Sequence, residues 1–403
     1  MALDLHKVAS SLFGMTNDFA ASQETRAENL ANAIKIFASA NNAKSLKNKV
    51  EASKTSWLVA EIVNDFNGKH KPGALPEEFG ILATDGSQID VDRHRGARCY
   101  LINIGTVALK YGNNPRAELN SHPLLFSKEE DLAARPDNYI PGREMMVEGS
   151  LLGIRRTVEE FKYLAELCAG IPKKDKALAL VDGSLIMWGL LSKEYPDYIV
   201  DAVLENGILQ QMESIWQLNS ERQVALASYI SFSRSTDVVN ALRVLVCPHE
   251  KADCDKYCTG VSTEERPCAC FDGIRDRDIF WQSLDCDERS DVFASRSRIN
   301  CTRYGRHRVH FYYIKTFDEI ARVEVPEWVA NDAELLSLSH SLVINQCYKG
   351  QGYPVALSEA HEQAVVTGAD RENFYHLMDE YMAGKKLSVT ISAKSLSKKT
   401  RWV

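Results

Sequence analysis

Apolar residues return at the spacing of a helix face through the first seventy positions, at Leu30, Ile34, Ile36 and Phe37 and again at Trp57, Leu58, Ile62 and Val63, with no proline before Pro72. The pattern predicts an N-terminal helical region over residues 1–75. The segment HKPGALPEEFG breaks it with prolines and glycines and marks a boundary. The period then shortens. ILATDGSQID predicts a short apolar strand ending at Asp85 in a Gly-Ser turn, and ARCYLINIGTVALKYG a strand or hairpin. Asn113 to Pro141 is polar and proline-bearing and is expected to be loop. Helical spacing resumes over residues 150–169 at Leu151, Ile154, Val158, Phe161 and Ala165. KALALVDGSL predicts a second buried strand, ending at Asp182. A helix from Tyr198 to Leu218, a strand at VALASYIS, a helix over 236–246, paired strands at HRVHFYYIKT and EIARVEVP, and helices at 332–347, 355–366 and 370–382 complete the series. Strands interleaved with helices indicate an α/β fold with a mixed sheet flanked by helices.

Composition narrows the setting. A chain of 403 residues with 45% hydrophobic and 26% charged residues has the make-up of a soluble globular protein. The longest apolar runs, such as Ala177 to Val181, are too short to cross a bilayer. No secretory signal is legible in MALDLHKVASSLFG, so a cytoplasmic location is expected. The net charge of −7 excludes a uniformly basic nucleic-acid coat, but local basic stretches exist. One is residues 289–308, where Arg296, Arg298, Arg303, Arg306 and Arg308 surround Tyr304. The other is the C-terminal tail with Lys394, Lys398, Lys399, Arg401 and Trp402. Both are candidate contacts to a phosphate backbone.

The chemistry rests on a repeated design. ILATDGS and LALVDGS each deliver a carboxylate at the end of an aliphatic strand, 97 residues apart. Asp-Gly alone is ordinary turn chemistry. Two such carboxylates on adjacent strands, however, suit a hard cation such as Mg²⁺ or Mn²⁺ and the phosphoryl chemistry it serves. The helix before the second motif offers a third acid in RRTVEEF, where Glu159 and Glu160 both flank the apolar stripe. Periodicity does not choose between them, and either also fits an i,i+4 ion pair with Arg155 or Arg156.

Taken in order, ATDGS, R-x-x-x-E on a helix, LVDGSL, ARVEVPEW, GYPVALSEAHEQAVV and then Asp370, Arg371, Glu372 and Phe374 resemble the NurA nuclease family over roughly residues 78–400. The resemblance implies an RNase H-like core over residues 76–403 and Mn²⁺-dependent (or Mg²⁺-dependent) cleavage of DNA ends and single strands. It further implies a homodimer working with a HerA-type hexameric translocating ATPase in end resection. By position it assigns the metal carboxylates to Asp85, Asp182 and a helical glutamate, best matched by Glu160 with Glu159 as the rival. It also points to Tyr353 and His361 as the C-terminal aromatic and histidine of the site, where His361 would bind a phosphate, ligate a metal or transfer a proton.

Ten cysteines remain, seven of them between 247 and 301. Cys254, Cys258, Cys268 and Cys270, with Cys247 and His249 upstream, form a soft-ligand cluster that fits Zn²⁺ or an iron–sulfur centre in an inserted clip. Two competing functions remain in view. One is a non-catalytic DNA-end or ATPase-binding scaffold that keeps the fold and the clip. The other is an actin-like phosphotransferase, disfavoured because no late glycine-rich nucleotide motif follows.

Overall fold

The structure, a computed structural model, describes residues 4–40, 43–90, 98–136, 142–191 and 195–387. The basic tail residues Lys394, Lys398, Lys399, Arg401 and Trp402 lie outside the described residues. The main elements are helices α1 (Leu5–Ser39) and α2 (Ala43–Glu51), strands β1 (Phe79–Ile89), β2 (Tyr100–Tyr111) and β3 (Arg116–Phe126), helix α3 (Ser150–Ala169), and strands β4 (Lys176–Asp182) and β5 (Gln223–Ile230). Helix α4 (Asp237–Val246), strands β6 (Val309–Lys315) and β7 (Ile320–Pro326), and helices α5 (Ala333–Lys349), α6 (Val355–Ala364) and α7 (Gly368–Gly384) follow. Among the described residues no helix is long and apolar enough to cross a membrane.

The chain forms two compact units that interleave in sequence. The first comprises Met1–Pro72, Ile230–Cys301 and Arg308–Glu324; the second comprises Gly73–Tyr229, Thr302–His307 and Val325–Val403. The break at Pro72 coincides with the proline–glycine segment. The polypeptide then returns to the first unit after β5, so the cysteine-rich stretch belongs to the same unit as the N-terminal helices.

In the second unit, β1, β2 and β3 form an antiparallel meander, and β4 then β5 extend it in parallel beside β1. The result is a mixed sheet flanked by helices. Strand β4 forms because Ala177 to Val181 are all buried, as a parallel strand covered on both faces requires. Helix α3 buries Leu151, Leu152, Ile154, Val158, Phe161, Leu164 and Ala165 on one stripe, each worth about 1.5–3 kcal/mol when fully removed from water, alanine less. Strand β3 occupies the stretch expected to be loop. It lies at the edge of the meander and is largely exposed, with Pro123 opposite Asn103; an edge strand tolerates a proline and needs no apolar alternation.

The first unit gathers α1, α2, α4, β6 and short paired strands around an aromatic core. Phe37 meets Phe66 at 5.3 Å and Phe280 at 5.6 Å between ring centroids. The helix expected to continue past α2 does not do so. Glu61 and Ile62 instead pair antiparallel with Ala294 and Phe293, and the Ala60 amide donates to the Asp237 carbonyl at 2.8 Å. Backbone partners from far downstream override a short helical pattern that Trp57 and Leu58 could not sustain alone.

Candidate active site

Thr84 and Val181 are register partners on β1 and β4, so Asp85 and Asp182, the next residues on each strand, emerge side by side at one end of the sheet. The two motifs are built differently. Strand β4 ends at Asp182, and Gly183 turns the chain with φ +83°. Strand β1 does not end at Asp85; it runs on unbroken to Ile89, correcting the expected Gly-Ser turn. Gly86 serves a different need. A methyl group there would sit 2.6 Å from Glu160 Oε1 and 2.8 Å from Arg156 Cγ, so the glycine makes room for the α3 side chains to lie against the strand.

The pleat of β1 sorts its neighbours. Thr84 donates its hydroxyl to the Glu160 carbonyl at 3.1 Å, toward α3. Asp85 and Ser87 face α6: the Asp85 carboxylate lies 2.7 Å from His361 Nδ1, and Ser87 donates to the Ala364 carbonyl at 2.5 Å. Asn103 on β2 donates to the same carbonyl at 2.9 Å. Opposite Asp85 in register stands Gly105. A side chain there would strike the Ala360 carbonyl and lie 2.6 Å from the Ala364 amide, so α6 rides directly on the β2 backbone and His361 reaches Asp85. Gly105→Ala is expected to destabilise the protein by about 1–3 kcal/mol through this overpacking, measured as a lowered denaturant midpoint at unchanged slope. An unchanged midpoint would mean that α6 does not need the contact.

The remaining acids differ in surroundings. Glu160 is buried, and its Oε1 lies 3.0 Å from Arg156 Nε as an ion pair without hydrogen-bond geometry, leaving that oxygen with no donor. Burial, partly offset by Arg156 and reinforced by the charges of Asp85 and Asp182, raises its carboxyl to about 7. Glu159 is buried too but points elsewhere, paired with Arg155 at 2.8 Å and Lys162 at 3.6 Å. Asp182 has an exposed surface yet is crowded enough by protein that desolvation raises its carboxyl. The Tyr353 hydroxyl donates to it and lowers the value, while Asp85 raises it further. Tyr353 in turn stands edge-on to Tyr229 at 5.5 Å. His361 is exposed.

Asp85, Glu160, Asp182, His361 and Tyr353 therefore belong to one electrostatically coupled neighbourhood of the second unit, with Glu159 turned out of it. Among the described residues no three of Asp, Glu, His or Cys converge on single-ion distance; Asp85 is held by His361 and Glu160 by Arg156. The donor chemistry still fits a hard divalent cation: three carboxylates, two with raised affinity for protons, and one buried oxygen without a donor. Sequence patterns do not single out Gly105 or the reason for Gly86, although Arg156 stands in the R-x-x-x-E element.

The arginine stretch is not a free basic face. Tyr304 is buried, donating to the Leu185 carbonyl at 2.9 Å and accepting from the Met187 amide at 2.9 Å, so it offers no ring for a base. Arg303 pairs with Asp197, Asp201 and Glu205, and Arg306 lies over Trp216 and pairs with Glu213 at 3.6 Å. In the first unit Arg308 pairs with Glu61, and Arg296 donates to the Val50 carbonyl at 2.6 Å. Structural acids and carbonyls use these guanidinium groups. Cys254, Cys258, Cys268 and Cys270 lie in the first unit, all as free thiols.

The NurA domain family model matches residues 79–366 of the chain. Among solved structures, the chain is similar to the NurA nuclease from Sulfolobus solfataricus at 12% identity and a TM-score of 0.45, over 98% of this chain and 99% of that one. It is also similar to LC9-RNase H1, a type 1 RNase H with the type 2 active-site motif, at 10% identity and a TM-score of 0.20 over 42% and 71% of the two chains. A third likeness is to the protease-reverse transcriptase of prototype foamy virus, at 15% identity and a TM-score of 0.20 over 38% and 18%. No curated protein matches the chain.

Proposed function

The chain belongs to the NurA domain family, and on that premise we propose that it is a divalent-metal-dependent DNA nuclease whose site is the carboxylate neighbourhood of Asp85, Glu160 and Asp182. The observation that carries this reading is the emergence of two aspartates side by side on adjacent parallel strands, with a buried, under-bonded glutamate beside them. Mn²⁺ or Mg²⁺ bound there would supply a lowered pKa for a water and neutralisation of the scissile phosphate.

The protein's own residues have distinct tasks. Asp85 and Asp182 hold negative charge at the mouth, and the Tyr353 hydroxyl keeps the Asp182 carboxylate oriented. Arg156 holds Glu160 against Gly86. His361, exposed and hydrogen-bonded to Asp85, would contact a phosphate oxygen or carry a proton. In the wider setting implied by the family we place the protein in the cytoplasm as a homodimer. There it acts with a HerA-type hexameric ATPase in DNA end resection and double-strand break repair, as a 5′–3′ exonuclease, a single-strand endonuclease or both.

The test is cleavage of end-labelled single- and double-stranded DNA by the full chain with Mn²⁺, with Mg²⁺ and with EDTA. Cleavage is expected with the ions and none with EDTA. Saturating Mn²⁺ is also expected to raise the melting temperature, since an ion at about 100-fold its Kd adds about 2.7 kcal/mol. Absence of cleavage with every ion, with and without the ATPase, would leave the non-catalytic scaffold.

A further inference from the structure

In the first unit, Cys254 and Cys258 lie on one helical turn, Cys254–Tyr257, where the Cys258 amide donates to the Cys254 carbonyl at 2.9 Å. That spacing sets both thiols on one side of the turn. With Cys268 they line a cavity of about 210 Å³. Cys247, the residue that ends α4, is close enough to Cys254 for their thiolates to repel each other, as are Cys258 and Cys268. Cys247 and Cys270 both pack against the apolar core without lining the cavity, and Cys270 adjoins Cys268.

Three properties of this cluster go together. All the thiols are free, so none has closed a disulfide. A single zinc ion would draw its sulfurs to about 2.3 Å from one centre, and among the described residues no three potential ligands are gathered that way. Between the thiols there is instead an open volume. An iron–sulfur cluster needs that arrangement, because its thiolates bind separate iron atoms at the corners of an inorganic core. The cavity wall also carries Arg243 and Arg266. Arg243 is held in place by Asp272 at 2.8 Å and the Phe271 carbonyl at 3.0 Å, and Arg266 by the Val261 carbonyl at 3.0 Å. Fixed cations at the rim offset the negative charge that four thiolates bring to a cluster.

We propose that this cavity binds an iron–sulfur cluster through Cys254, Cys258 and Cys268, which line it, with one of the flanking thiols Cys247 and Cys270 completing the set. The cluster ties the turn at Cys254 to the loop at Cys268, two segments of the first unit.

The experiment is metal and sulfide analysis of the full chain purified without oxygen. Iron and acid-labile sulfide are expected in equal amounts, about two or four of each per chain, with broad visible absorption that bleaches on reduction. Cys254→Ser and Cys268→Ser are expected to lose most of the iron, as is one of Cys247→Ser and Cys270→Ser, whereas Cys347→Ser keeps the wild-type content. Zinc without iron in the wild-type protein, or neither metal, would overturn the proposal. So would wild-type iron content in both Cys254→Ser and Cys268→Ser. Because the wild-type measurement needs no variant, a serine variant that fails to fold does not blunt the test.

Discussion

Asp85→Asn is expected to lower DNA cleavage by at least about 100-fold, more than the 10- to 100-fold typical of losing a group that only supports a metal ligand, while leaving the protein as stable at pH 8 as the wild type or more so. The two halves of this expectation have one cause. The asparagine amide keeps an acceptor for the Gly86 N–H, which the Asp85 carboxylate now binds at 2.8 Å, so the strand loses no backbone contact. The substitution removes a negative charge from beside Glu160 and Asp182, both of which that charge pushes upward. The sign for stability follows from linkage. Glu160 has a folded value of about 7, against about 4.3 in an unfolded chain. Its contribution to folding is therefore fully present below about pH 4 and is lost as pH rises through 7. In Asp85→Asn that loss is smaller, so the fall in melting temperature from pH 5 to pH 8 flattens. Cleavage assays and melts across that range read both effects. Wild-type cleavage by Asp85→Asn would end the site assignment, and lost cleavage with a collapsed melting temperature would make Asp85 a structural residue.

Sequence predicts best where burial is complete. The apolar spacing over 150–169 predicts a helix, and α3 has the same bounds, because its apolar stripe is continuous and nothing else competes for the face. Strand β4 is readable for the matching reason, an unbroken apolar run ending in Asp-Gly. Legibility fails where local pattern and tertiary partner disagree. Arg116 to Phe126 has no fully buried residue; only its end, at Leu124 and Phe126, packs against the core, so its strand depends on the ladder with β2. Residues 57–63 carry helical spacing, but Glu61 and Ile62 find strand partners at 293–294.

The site shows the same division. Asp85 and Asp182 can be found because each follows an apolar run and precedes a glycine, although only Asp182 ends its strand. Glu160 and Glu159 are indistinguishable by period, since adjacent helical residues are only about 100° apart and both flank one stripe. Only packing separates them: Gly86 opens a slot on the Glu160 side, while Arg155 and Lys162 draw Glu159 away. The arginines around Tyr304 mislead for a related reason. A run of basic residues looks like an anion site until the acids that answer it, Asp197, Asp201, Glu205 and Glu213, arrive from a helical segment far earlier in the chain.

Arg322→Met is expected to be among the most damaging single changes outside the site, costing about 3–5 kcal/mol and lowering the melting temperature by roughly 6–20 °C. Arg322 is 1% exposed in the first unit. Its Nε lies 2.9 Å from Glu324 and its Nη1 3.1 Å from Asp237, and the guanidinium rests 3.6 Å above the Phe311 ring. Beside this group, Tyr313 donates to Asp276 at 2.7 Å, and Asp276 also accepts the Val238 and Val239 amides at the start of α4. Two buried acids, Glu324 and Asp237, thus share one permanent cation. Methionine fills the space but strands Glu324 and Asp237 without a counter-charge, which is costlier than never having had the pair. The double variant Arg322→Met with Glu324→Met is therefore expected to recover part of the loss, a coupling that a double-mutant cycle measures directly. Acid should narrow the deficit, because protons neutralise the stranded carboxylates. In the wild type, burial and the Asp237 charge already raise Asp276 to about 6, so its share of stability is present below about pH 4 and disappears as pH climbs through 6. Urea unfolding at pH 5 and pH 8 decides the matter: an equal deficit at both values, or no recovery in the double variant, would show that Arg322 contributes by packing on Phe311 and not by charge.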